Sequence, residues 1–105
     1  MPALNKSSKG FVGIITAELY FPDNGSLKGK RMYLRRIRDQ VTRRHGASFA
    51  EVGYQDLWQR SRVIIAVASS DLLVLEGTLD RLKTYLDTQE WVVVSRATEV
   101  VDIDA

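Results

Sequence analysis

The chain has 105 residues, 45% of them hydrophobic, with no cysteine, one histidine and a formal charge of only +2. That length supports one domain with its own core, and the lack of cysteine excludes disulfides, thiol chemistry and thiolate-held metal ions. Lys28 to Arg44 holds eight Lys/Arg against one acid, Asp39, and so carries +7, which leaves −5 for the other residues. A strongly cationic segment on an otherwise acidic chain points to a polyanionic partner, nucleic acid before membrane.

Residues 1–10 are polar and read as a disordered extension, so the expected domain is 11–105. From Phe11 to Phe21 one alternating set of positions is wholly apolar and the other is mixed, the pattern of a strand. Pro22-Asp23-Asn24-Gly25 is a turn, and Ser26 is placed to cap a helix running from Leu27 to about Arg44, stopped by Gly46. At about 100° per residue, Leu27, Leu34, Ile37 and Val41 form its apolar stripe. Arg31, Arg35 and Arg38 share a ridge beside the stripe, with Lys28 adjacent. Lys30 falls inside the stripe near the helix start, where its long side chain is expected to snorkel past the end. His45 stands at the helix end, as a cation favouring the helix dipole.

Ser48 to Tyr54 reads as a short strand with Ala50 and Val52 inward and Glu51 outward. Residues 55–59 read as a turn or bulge, and Arg62 to Ala68 as a central strand, being almost continuously apolar. Asp71 caps a second helix whose stripe is Leu72, Leu75, Leu79, Leu82 and Leu86. Glu90 to Ile103 is valine-rich and reads as a last strand, bent near Ala97. The order β-α-β-β-α-β predicts an α+β, ferredoxin-like split βαβ fold: a four-stranded antiparallel sheet with two helices on one face.

Catalytic signatures are sparse. Gly25 to Arg31 imitates a phosphate loop, but the spacing is one residue short and Arg31 stands where a Ser/Thr must bind magnesium. A helix start with Lys28, Lys30 and Arg31 nearby is a weaker anion site, weighed against an ordinary cationic helix start. Gln55 and Asp56 form a possible polar site beside Trp58, with Asp56 expected to pair with Arg60 or Arg62 or to bond the turn. No matched acid–base pair or metal cluster is legible, so no enzyme, metal or cofactor is expected. The central strand has no aromatic residue, which removes the base-stacking sheet of RNA-recognition modules. The open sheet face, with Val12, Ile14, Phe49, Ile64, Ala66 and Ala68 expected on it, calls for a second copy as its cover.

Ser26 to Arg31, then Ala50-Glu51-Val52, Gln55 to Arg60 and the apolar run into Ser69-Ser70 resemble the YlxP-like family of small uncharacterised bacterial proteins. The resemblance spans roughly Val12 to Ile103. It implies a ferredoxin-like fold and, from the family's gene neighbours in translation initiation and ribosome maturation, a role near ribosomal RNA. It carries no catalytic residue over. The family pattern has Glu where this chain has Gly29, and His where it has Tyr54. Glu at the first position would close a capping box with Ser26, so Gly29→Glu is expected to stabilise the helix.

The expected function is a cytoplasmic, non-enzymatic accessory protein that binds structured RNA or ribosomal particles through Lys28, Lys30, Arg31, Arg35 and Arg38. It is expected to form a homodimer or higher homo-oligomer. The alternatives are a module docking an acidic protein and a small ligand-binding domain near Gln55 and Asp56.

Overall fold

The structure, a computed structural model, describes residues 8–104. Six elements follow in the expected order: β1 (Lys9–Tyr20), α1 (Leu27–His45), β2 (Ser48–Gly53), β3 (Arg60–Ser69), α2 (Leu72–Asp87) and β4 (Val92–Asp104). All strand pairs are antiparallel and the sheet order is β2-β3-β1-β4, the split βαβ topology. β1 begins two residues before the expected Phe11; residues 1–7 of the expected extension lie outside the described residues.

The alternation of β1 decides the two faces of the sheet. Ile15, Ala17 and Leu19 are fully buried beneath the helices with Val63 and Ile65 of β3 and Leu75, Leu79, Leu82 and Leu86 of α2. Ile37 and Val41 bring α1 into the same core. Where the two helices meet the end of β1, Phe21 stacks on Tyr33 at 5.0 Å between ring centroids. Trp91 meets Phe21, Tyr33 and Tyr85 edge-on at 6.0 to 6.4 Å. Aromatic edges against faces add specificity to the area they bury.

The other face has no helix on it. Val12, Ile14 and Thr16 of β1 lie opposite Ala68, Ala66 and Ile64 of β3, and opposite Val101, Glu99 and Ala97 of β4. Directly opposed residues of an antiparallel pair share a face, so these form one largely apolar surface. Glu18 bounds it at one end, with Arg60 at 2.6 Å and Arg62 at 3.3 Å from its carboxylate.

Three strand details depart from expectation. Phe49 lies opposite Ile65 and packs on the helix-covered side, not on the open face. With it, the parity of β2 is reversed: Glu51 turns toward α1, while Ala50 and Val52 are exposed. The break in β4 sits at Val94, where the register shifts between Glu18 and Leu19, and not at Ala97.

α1 carries both of its expected caps. Ser26 is extended and its Oγ accepts the Gly29 N–H at 2.9 Å. Gly46 takes the left-handed conformation (φ 61°), donating to the Thr42 carbonyl while Ala47 donates to Val41. Asn24, which is buried, shapes this helix start further. Its Nδ2 donates to the Ser26 carbonyl at 2.8 Å and to the Trp58 carbonyl at 2.6 Å. A Cβ on Gly29 would lie 2.0 Å from Asn24 Oδ1, an atom fixed by those two bonds.

That contact reverses the expectation for Gly29→Glu. Helix propensity and the capping box favour glutamate by about 1 kcal/mol, but displacing Asn24 leaves two carbonyls without their donor, at about 1–3 kcal/mol. The variant should lose roughly 1 kcal/mol in urea unfolding. Combined with Asn24→Gly it should cost less than the two changes summed, because the second vacates the space the first needs. A stabilised single variant would show that Asn24 moves aside freely.

Candidate nucleic-acid interface

The outward side of α1 is where the sequence concentrates charge. The helix runs for 19 residues, about 28 Å, and Lys28, Arg31, Arg35 and Arg38 are all exposed along it. Because Ile37 and Val41 commit the opposite side to the core, these four heads face solvent. Among the described residues, no carboxylate lies within ion-pairing distance of any of the four. Arg38 lies 5.7 Å over the Phe49 ring, a contact that fixes the guanidinium without neutralising it. Arg36 differs: it pairs with Glu90 and lies 5.2 Å over Tyr33.

Cationic surface continues toward the end of the helix. A groove of about 590 Å³ between α1 and α2 is lined by Arg36, Arg43, Arg44 and Tyr85, with Asp39 the acid in its wall. His45 at this end is not the cation expected. Partial burial, then the guanidinium groups of Arg81 and Arg44, hold its pKa below the ordinary histidine value of 6.5. The unfolded chain therefore takes up this proton first, and His45 contributes a loss of stability as pH falls through the ordinary histidine range.

Lys30 departs furthest from expectation. Its side chain is buried instead of reaching past the helix end. Being in the apolar stripe, it points at the sheet, and the β2–β3 loop closes over its tip. Nζ donates to the carbonyls of Tyr54 at 2.8 Å, Gln55 at 3.1 Å and Arg60 at 3.2 Å, and lies 3.0 Å from Glu51 Oε2. Ser61, also buried, donates to the same carboxylate oxygen at 2.7 Å. Lys30 is thus removed from the set of groups available to a polyanion. At the helix start itself, the Asn24 side chain bonds the Ser26 carbonyl and lies against Gly29.

The loop so held is unusual in its backbone and in what it displays. Tyr54 has φ 59°, a conformation that a residue with a side chain adopts only when its surroundings insist. Here its carbonyl accepts from Lys30 and from the Leu57 N–H, and its ring lies 5.7 Å from the Arg62 guanidinium. Gln55 and Asp56 are exposed on the loop. Asp56 does not pair with Arg60 or Arg62, both of which go to Glu18 instead. Leu57 and Trp58 stand out beside it, about half exposed.

Among the described residues, no group of three or more His, Cys, Asp or Glu side chains is placed to hold a metal ion. No helix there is long and apolar enough to cross a membrane.

The match to a family model described as "Protein of unknown function (DUF503)" covers residues 12–99. The chain belongs to that family. It is 39% identical over 77 residues to the Bacillus subtilis (strain 168) "Uncharacterized protein YlxP", spanning 73% of this chain and 84% of that protein. It is also similar in fold to the structural-genomics protein YJCS, with a TM-score of 0.51 and 11% identity over 84% of this chain and 96% of the other.

Two of the segments that carry the family resemblance, Ser26–Arg31 and Gln55–Arg60, meet in space. Lys30 and Asn24 are the side chains that join them. In this DUF503 chain, Lys30→Met should cost about 3 kcal/mol or more, because it takes the cation from the Glu51 carboxylate and the ammonium donor from the Gln55 and Arg60 carbonyls, while Tyr54 keeps its bond from Leu57. Glu51→Gln should cost less, since an amide oxygen can still accept from Lys30 and Ser61. Urea unfolding of both variants measures the difference. Equal, small losses would show that the loop does not depend on the ammonium.

Proposed function

We propose that this DUF503 chain is a non-enzymatic accessory protein that binds structured RNA, ribosomal RNA included, through phosphate contacts along α1. The observation that carries this reading is the row Lys28, Arg31, Arg35 and Arg38. These are four exposed cations on one side of a rigid helix, with no carboxylate in pairing distance among the described residues. A surface built for solubility alone interleaves both signs. Arg36, a few residues away, has its carboxylate in Glu90. Guanidinium forks suit phosphate oxygens, and their spacing along a helix suits the repeat of a backbone, not the edge of one base. Arg43 and Arg44 extend the surface toward the helix end.

A salt titration of affinity for a structured RNA tests this. Each phosphate neutralised contributes roughly 0.7 to 0.9 to the slope of log affinity against log salt. Arg31→Glu, Arg35→Glu and Arg38→Glu should each flatten the slope and weaken binding alike across unrelated sequences, with the fold intact. Three variants that bind as the parent does, at the same slope, would reduce the row to a solvated face.

The uncovered sheet face belongs to the same reading as an assembly surface. Val12, Ile14, Ile64, Ala66 and Val101 give it apolar area around Glu99, and a second copy supplies a matching surface about a two-fold axis. Light scattering at micromolar protein should give a dimer or larger species, and Ile64→Glu should return it to a single chain without unfolding it. A monomer before the substitution would refute this.

A further inference from the structure

We propose that Trp58 is a stacking platform for an unpaired base of the RNA whose phosphates α1 holds; this inference rests on the RNA reading above. Trp58 is 55% exposed, which for so large an apolar ring calls for an explanation. Trp91 has none of this exposure, being buried in the aromatic cluster. Nor is Trp58 on a loose segment. Its carbonyl is held by Asn24, and the loop that carries it is fixed by three carbonyl bonds to Lys30. A backbone held this way has already lost the freedom that binding would otherwise remove from the loop.

The surroundings favour a base over an apolar protein segment. A shallow pocket of about 320 Å³ runs beside the ring and is lined by Tyr20, Asp56, Leu57, Gln59 and Arg60. Its wall therefore sets a second aromatic ring beside the Asp56 carboxylate, while the Gln59 amide donates to the Pro22 carbonyl and the Arg60 guanidinium is paired with Glu18, so that Asp56 is the polar group left to meet a base edge. Asp56 makes no ion pair among the described residues, leaving its oxygens to accept from an amino-bearing base. The loop is also tied to the start of the basic helix: Asn24 donates to the carbonyl of Trp58 and to that of Ser26, the N-cap of α1. Single-stranded binders combine the same two parts, a cationic track and an aromatic platform. β3 has no aromatic residue, so the central strands lack the usual pair of stacking rings, and on the open face β1 contributes only Tyr20 at its end, beside Trp58.

The test uses the full chain and two RNA hairpins with the same stem, one with an unpaired loop and one with abasic sites in that loop. Both should bind through α1 with the same salt slope. Only the first should quench tryptophan emission, and Trp58→Phe, which leaves Trp91 as the sole emitter, should abolish the quenching while keeping most of the affinity. Trp58→Ala should bind the intact hairpin roughly tenfold more weakly and the abasic one as the parent does. Unchanged emission at saturation, with Trp58→Ala binding like the parent, would overturn the stacking inference and leave the phosphate reading standing. Equal weakening toward both hairpins would also overturn it, since Trp58 would then act only on the loop's shape. If neither hairpin binds, the phosphate reading fails and this inference fails with it.

Discussion

An ammonium group has three protons and tolerates burial only if all three find acceptors. Lys30 meets that demand with oxygens from both strands and the loop that flank it: the carbonyls of Tyr54, Gln55 and Arg60 and the carboxylate of Glu51. The rest of this end of the domain follows from that requirement. To reach Nζ, the chain after β2 must turn its carbonyls inward, which fits the left-handed conformation of Tyr54 and returns the backbone to β3 at Arg60. It also explains the parity of β2. Glu51 must face α1 to serve the lysine, so Ala50 and Val52 are left on the open side. A strand has only two faces, and one buried charge assigned all of them.

The same reasoning separates the cations of α1 into two kinds. Lys30 and Arg31 are neighbours in sequence but differ by about 100° around the helix. One is directed into a cage of oxygens and the other into solvent. A count of positive residues treats them alike, whereas the geometry gives Lys30 a structural task and leaves Lys28, Arg31, Arg35 and Arg38 with no carboxylate in pairing distance among the described residues. Arg36 sits between these cases, its charge matched by Glu90 from the segment before β4. The charge available to a partner is therefore smaller than the sequence total, and it is gathered on the sides of the helix away from the core.

Much of the fold was legible because period decides it. The alternation from Phe11 to Phe21, the leucine spacing of α2 from Leu75 onward (Leu72, expected in the stripe, is exposed), Ser26 as a cap and Gly46 as a stop each express a local rule that the tertiary structure did not override. What was not legible rests on contacts distant in sequence. The position of Lys30 in an apolar stripe was visible, but its acceptors lie 21 to 30 residues away in chain order and are mostly backbone carbonyls, which have no letter in the sequence. Asn24 read as a turn residue; its bond across 34 residues to Trp58 has no local signature. Ala-Glu-Val reads by composition as apolar-polar-apolar, and the composition misled because the acid had a buried partner. His45 was assigned its dipole role from position alone, and the guanidinium of Arg81 on the other helix was out of sight.

These pieces give the domain a division of labour between its two ends and two faces. The helix-covered face is packed and closed, and its aromatic cluster joins α1, α2 and the start of β4. The open face is largely apolar, with Glu99 opposite Ile14 as a carboxylate within it, so it offers area but little direction. The Lys30 end supplies direction. There, a loop that would otherwise be free is fixed by a buried charge, and the residues it shows to solvent, Leu57 and Trp58, are those that cost most to expose. A loop needed only to connect two strands has no use for a caged lysine and an exposed tryptophan together. Rigidity in the backbone combined with exposure of the ring is the arrangement that lowers the entropic cost of binding, because the surface meets its partner already in shape.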